Sequence, residues 1–128
     1  MQKDFDGWNE QKKHIDRDAQ APEYHERQIR WCRFGTNVGF EQDGTGEGYS
    51  RPALILKGLS RNVCLVLPLT TSVKKNPYYL PVGLVADRPA AVIVSQIRLV
   101  DTKRLYKRLG TVDAATFARI RKAVRNLF

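Results

Sequence analysis

Residues 51 to 57 (RPALILK) and 62 to 69 (NVCLVLPL) are two apolar runs held apart by only Gly58, Leu59, Ser60 and Arg61. Each is too short for a typical helix and rich in Leu, Val and Ile, so the pair predicts a β-hairpin. Pro68 has no N–H to give to a sheet ladder and is expected at an edge or a bulge, where the backbone re-aims the residues that follow, Leu69, Thr70, Thr71 and Ser72.

The rest of the chain is fitted around that hairpin. Residues 29 to 34 alternate as a strand. Residues 78 to 84 form another, confined to an edge by Pro81. Residues 90 to 100 are the longest strand candidate, with Ile93, Ser95, Ile97 and Leu99 on one face and Val94, Gln96 and Arg98 on the other. Asp101 is placed to cap a short helix over 102 to 109 that stops at Gly110, and Asp113 to cap a last helix reaching Leu127. In that last helix Phe117, Ile120, Val124 and Leu127 make one apolar stripe, with Arg119, Lys122 and Arg125 away from it. Five short strands followed by two helices predict a mainly β fold, a small, strongly bent β-barrel carrying its helices outside.

Ahead of the barrel, residues 3 to 17 read as a modest amphipathic helix built on Phe5, Trp8 and Ile15, and 19 to 24 as a linker containing Pro22. The expected organisation is therefore an N-terminal helical arm and linker over 1 to 28 and one barrel domain over 29 to 128. Residues 37 to 50 hold four glycines and few core-forming side chains, which predicts a long mobile loop.

With 128 residues the chain has room for one ordinary domain. Its longest apolar run, residues 63 to 69, is far shorter than a membrane span, and the first 30 residues lack a secretory apolar stretch, so the expected location is the cytoplasm. Cys32 and Cys64 are flanked by large or apolar residues, have no C-x-x-C spacing, and are expected to be buried and reduced. With His14 and His25 they offer no paired ligand spacing, so no metal site is predicted. No Walker-type phosphate loop occurs, and both histidines lie in the arm, away from any serine-based triad.

Lys and Arg number 22 against 13 acids, a net charge of +9, and residues 97 to 128 alone carry nine bases and two acids. A helix face that is merely solvated usually mixes Lys or Arg with Glu; this one does not, and an anionic partner, nucleic acid first, is implied. Arg51, at the junction of loop and strand, and the hydroxyls of Thr70, Thr71 and Ser72 are the candidate chemistry, with Lys74 and Lys75 close behind. If the barrel brings both hairpin ends to one rim, a planar guanidinium faces an alcohol across a groove, an arrangement suited to phosphate chemistry. An ordinary surface arginine pairing with Glu41 or Asp43, and threonines serving only β-propensity, are the plain alternatives.

Four blocks in order, GTNVGFEQ (35 to 42), RPALIL (51 to 56), PLTTS (68 to 72) and SQIRLVD (95 to 101), resemble the MazF/PemK/Kid family of toxins over roughly residues 29 to 127. The resemblance implies a compact barrel related to the SH3-like barrels, a homodimer, and an endoribonuclease that needs no metal or other cofactor. It also implies two partners, single-stranded RNA and a restraining antitoxin protein. Carried over by position, Arg51 matches the catalytic arginine, Thr70 the catalytic hydroxyl and Glu41 a glutamate in the loop. Gln42, Thr71, Ser72, Lys74, Lys75, Gln96 and Arg98 are the expected RNA-binding residues. The implied chemistry is attack of a ribose 2′-hydroxyl on its own phosphate, giving a 2′,3′-cyclic phosphate and a 5′-hydroxyl. Some members carry an acid where this chain has Ser95, which leaves the general base open. Related barrels also act without catalysis, by binding a protein target such as a topoisomerase, or nucleic acid. The acidic arm is expected either to pack Phe5 and Trp8 on the barrel or to mask its basic groove.

Overall fold

The computed structural model describes residues 23–35, 50–72 and 75–128. The helix expected over 3 to 17 and nearly all of the loop expected over 37 to 50 lie outside these residues. Along the described residues run β1 (Gln28–Arg33), β2 (Ser50–Gly58), β3 (Val63–Thr70), β4 (Tyr79–Val85), β5 (Arg88–Ile93), β6 (Arg98–Asp101), β7 (Leu105–Thr111) and the helix α1 (Ala114–Arg125). The strands form a curled sheet in the lateral order β4-β5-β3-β2-β1-β7, with β6 on β3, and every pairing is antiparallel.

The continuous apolar character of β2 and β3 follows from cover on both sides. Ala53 and Ile55 join Cys32, Phe34, Cys64, Val66, Val100 and Leu105 in one buried cluster. Leu54 and Leu56, pointing the other way, join Ile29, Leu67, Leu69 and Val92 against Phe117 and Ile120 of α1. Each fully buried Leu or Ile removed from water in this way contributes roughly 1.5–3 kcal/mol. The curl is helped by a bulge: Ile55 pairs with Val66 but Lys57 with Leu65, so Leu56 is an extra residue on β2. A second bulge on the edge strand β4, between Pro81 and Gly83, uses a glycine at φ 91°, a backbone conformation that side chains resist. Pro81 is thus where its missing N–H is tolerated.

The segment before β1 is clasped to the β2–β3 connection. The Tyr24 hydroxyl donates to the Ser60 carbonyl, and the Glu26 carboxylate accepts the Gly58 N–H at 3.0 Å. A Cβ on Gly58 would stand 2.9 Å from the Tyr24 oxygen, so the contact requires glycine there.

Three expectations change. The stretch 102 to 109 is not a helix: Asp101 does cap, accepting the Lys103 N–H at 2.9 Å, but only a single 3-10 turn, Thr102–Arg104, before β7 begins. The free edge of β1 and the burial of Leu105 beside Cys32 override the helical propensity of KRLYKRL. Residues 90 to 100 are two strands, because the 3-10 turn Val94–Gln96 separates β5, which lies between β4 and the end of β3, from β6, which pairs with the start of β3. Ile93 and Leu99 therefore do not share a face: Ile93 is buried and Leu99 is 59% exposed. Pro68 is neither at an edge nor at a bulge but fully buried within β3, opposite Ala53. It falls where β3 exchanges one neighbour for another, β6 pairing ending at Val66 and β5 pairing starting at Leu69, so the absent N–H interrupts no ladder on that side.

The last helix forms as its sequence predicts. The Asp113 carboxylate accepts the Thr116 N–H at 3.1 Å, and hydrogen bonding from the Thr116 side chain and then its backbone holds the carboxyl below the ordinary carboxylate range. Phe117 and Ile120 are buried, and Leu127 lies beyond the helix end.

Candidate active site

Arg51 is the second residue of β2 and stands opposite Cys32 of β1. Pairing of Ala53 with Pro68, continued two residues outward, sets Arg51 in the row of Thr70. Side-chain geometry agrees, since Arg51 Nη1 donates to the carbonyl oxygen of Leu69 at 3.2 Å. The guanidinium is thereby fastened to the residue immediately before Thr70. Thr70 Oγ1 accepts the backbone N–H of Ser72 at 3.1 Å. A hydroxyl that accepts in this way still has its own hydrogen to donate.

Arg51, Thr70, Thr71 and Ser72 line one pocket of about 510 Å³. Trp31, Pro52 and Leu109 give it apolar walls, and Arg88, next to the β4–β5 turn, adds a second guanidinium. That turn places Ala86 and Asp87 at φ 50° and 64°, a left-handed pair matching the twist of a two-residue hairpin. No Asp or Glu of the described residues lines the pocket, and Arg51 and Arg88 bring two guanidiniums to it, the groups that recognise anions. Bidentate donors facing a hydroxyl suit a phosphodiester, whose two nonbridging oxygens match a guanidinium fork.

Other predicted residues fall elsewhere. Gln96 ends the 3-10 turn before β6, and Arg98 lies opposite Val66 with its guanidinium 5.1 Å above the Phe34 ring. Neither lines this pocket. Lys75 belongs to a separate shallow hollow with Asn76, Pro77 and Tyr79. Glu41, Gln42 and Lys74 lie outside the described residues. A larger hollow of about 650 Å³ between residues 23–26 and the β2–β3 connection contains none of the predicted site residues. Among the pocket members that sequence reasoning missed are an aromatic residue, Trp31, and a charged one, Arg88. Arg88 repeats the Arg-Pro pair of Arg51 and Pro52, a signal that was available, since proline holds the preceding residue extended.

Both cysteines are buried, and burial pushes the thiol of Cys32 up to about 12 and that of Cys64 up to about 11. They are protonated at neutral pH and are not nucleophiles. Among the described residues there is no cluster of three His, Cys, Asp or Glu able to hold a metal, and no helix long and apolar enough to cross a membrane.

No curated protein sequence matches the chain. Solved structures do, and they share its fold. MazF from Deinococcus radiodurans superposes with a TM-score of 0.67 at 23% identity, covering 84% of this chain and 96% of its own. An endoribonuclease from a mycobacterial species, solved with its cognate antitoxin, gives 0.62 at 20% identity, covering 81% and 93%. The Mycobacterium tuberculosis toxin MazF-mt6 gives 0.61 at 20% identity, covering 78% and 94%. The family model for PemK-like, MazF-like toxins of type II toxin-antitoxin systems matches residues 25–128, and with the barrel and its rim pocket this places the chain in that family.

Proposed function

We propose that the chain is a metal-independent endoribonuclease that cuts single-stranded messenger RNA in the cytoplasm, as the toxin of a toxin-antitoxin pair. The observation that carries this reading is the bond from Arg51 to the Leu69 carbonyl, which holds a guanidinium beside the Thr70 hydroxyl in one pocket.

In the proposed reaction the ribose 2′-oxygen forms a bond to the adjacent phosphorus and the bond from phosphorus to the 5′-oxygen breaks. The 2′-proton passes to a base and the leaving 5′-oxygen gains a proton, so the products are a 2′,3′-cyclic phosphate and a 5′-hydroxyl. Charge accumulates on the nonbridging oxygens as the fifth bond forms. Arg51 neutralises it through its fork, and Thr70 donates its hydroxyl hydrogen to one of those oxygens. Glu41 is the carboxylate proposed to complete the catalytic set. Gln42, Thr71, Ser72, Lys74, Lys75, Gln96 and Arg98 are proposed to hold the strand; Thr71 and Ser72 are the two that share the pocket with Arg51. DNA lacks the attacking hydroxyl and is not cut. A homodimer and an acidic antitoxin segment are the proposed partners, the latter supported by the mycobacterial relative's own complex and by the basic last quarter of this chain.

The test is incubation of the purified protein in EDTA with a DNA oligonucleotide carrying one internal ribonucleotide, and the same strand in RNA. Cleavage confined to the 3′ side of ribose, with cyclic-phosphate termini, is expected. Intact RNA, 3′-hydroxyl termini, or dependence on added divalent ions would refute the mechanism. Intact RNA retained in a salt-sensitive way would identify a binding barrel instead.

A further inference from the structure

On β1, Ile29, Trp31 and Arg33 alternate onto one face of the sheet. Ile29 lies in the cluster under α1, whereas Trp31 and Arg33 are only half-buried, and Trp31 belongs to neither core cluster. On the neighbouring strand β7 the register breaks. Arg30 pairs with Arg108 and Cys32 with Leu105, so Tyr106 and Lys107 together oppose Trp31 alone. A bulge of this kind re-aims a side chain, and here it turns Tyr106 alongside Trp31. The two rings are nearly parallel, 17° apart in plane with centroids at 6.5 Å, and the Arg33 guanidinium lies 4.0 Å from the centroid of the Tyr106 ring.

Two half-buried aromatic rings and a cation in one array, outside the core, are a strong candidate for a nucleobase platform. Aromatic faces stack any base, and a guanidinium can stack on a base or meet its phosphate. The array is joined to the candidate active site, because Trp31 is also a wall of the Arg51 pocket. β7 and β2 flank β1, so the strand carrying Tyr106 runs about 10 Å, two strand spacings, from the strand carrying Arg51. That is the scale of one to two nucleotides along an extended strand.

We infer that Trp31, Tyr106 and Arg33 form a base-stacking subsite for a nucleotide flanking the scissile phosphate of single-stranded RNA. The inference rests on the ribonuclease reading for its substrate class, and it adds where an unpaired base is held. Stacking there selects strands whose flanking base is free to leave a duplex, which restricts the enzyme to unpaired RNA independently of the 2′-hydroxyl requirement. Arg33 supplies charge to the platform through its contact with the Tyr106 ring.

The experiment uses the full chain in a Trp8→Phe background, which leaves Trp31 as the one indole of the two, and a short 2′-O-methyl RNA strand that cannot be cut. Binding is expected to quench Trp31 fluorescence. Tyr106→Ala is expected to weaken affinity roughly tenfold, the effect of one lost base–aromatic stack, with Tyr106→Phe restoring most of it. Scanning an abasic site through the strand should find a position that weakens the parent protein and leaves Tyr106→Ala indifferent. With cleavable RNA the loss falls on KM rather than kcat. Tyr106→Leu, which keeps volume without a π-face, repeats the test should alanine loosen β7, and melting curves report the fold. Equal affinity of parent and ring-less variants, or abasic scans that affect them alike, would overturn the subsite and leave the rings a cross-strand structural pair. Because the probe cannot be cut, that failure is separate from failure of the ribonuclease reading.

Discussion

Replacing Arg51 by alanine separates catalysis from stability, and the two effects can be sized separately. Arg51 is half-buried at the pocket rim and donates from Nη1 to the Leu69 carbonyl at 3.2 Å. Losing such a bond costs about 0.5–1.5 kcal/mol, and the pocket admits water to satisfy the carbonyl, so the lower half of that range applies. A melting temperature lower by only a few degrees is expected. The effect on rate is larger, because the proposed guanidinium meets charge that develops only as the phosphorus becomes five-coordinate. Removing one preorganised donor of this kind costs about 2.7–4 kcal/mol, which is about 100- to 1,000-fold in rate. Arg51→Lys keeps the charge but loses the planar fork and the geometry of the Leu69 anchor, and it should recover only a small part of the loss. The assay is single-turnover cleavage of a labelled RNA in EDTA, run beside a thermal melt. An alanine variant that melts like the parent and cuts within a factor of a few of its rate would refute the assignment of Arg51.

Thr70→Ala should lower the cleavage rate by about tenfold, the scale of one lost neutral donor, and Thr70→Ser should recover it, since serine keeps both the acceptor for Ser72 N–H and the hydrogen to donate; equal loss in both variants would point to β3 packing instead. Ile120→Ala, at a fully buried position of α1, should cost about 2–5 kcal/mol in urea or thermal unfolding while leaving the rate per folded molecule intact at low temperature. The thiols should be inert to a soluble disulfide reagent until the protein is unfolded. Their folded values lie above the unfolded one, so the stability they contribute is complete below pH 9 and is lost as the pH rises toward about 11 for Cys64 and about 12 for Cys32; Cys32→Ala should flatten that alkaline decline in melting temperature, and an unchanged slope would contradict the burial argument.

What the sequence makes legible here depends on whether the deciding interactions are local. β2 and β3 are recognisable because their apolar residues run on without alternation, and α1 because Asp113 sits one residue before a helix whose apolar stripe contains Phe117 and Ile120. β7 is hidden for the opposite reason. Its local signals, an aspartate cap and a KRLYKRL run, favour helix, and only the open edge of β1, some 75 residues earlier, makes it a strand. The break between β5 and β6 is likewise set by where β3 lies, not by Ser95 or Gln96 themselves. At the candidate site, Arg51 and Thr70 stood out through ordered blocks resembling a known family, and the hairpin register then accounts for their meeting. Trp31, Arg88 and Tyr106 did not stand out, since a residue joins a pocket or an aromatic array through strands that become neighbours only on folding.

The buried proline in β3 gives the hairpin a built-in detent. Its ring is accommodated where the gap between the β6 and β5 pairings, residues 67 and 68, leaves no ladder for it to interrupt on that side. Slipping β3 by a single residue would invert which side chains face each cluster, and slipping it so that the pyrrolidine leaves the gap would set it against a strand partner it cannot donate to. Since Thr70 comes two residues later on the same rigid segment, the cyclic side chain that donates nothing governs, through alignment alone, how closely an alcohol and a guanidinium can approach.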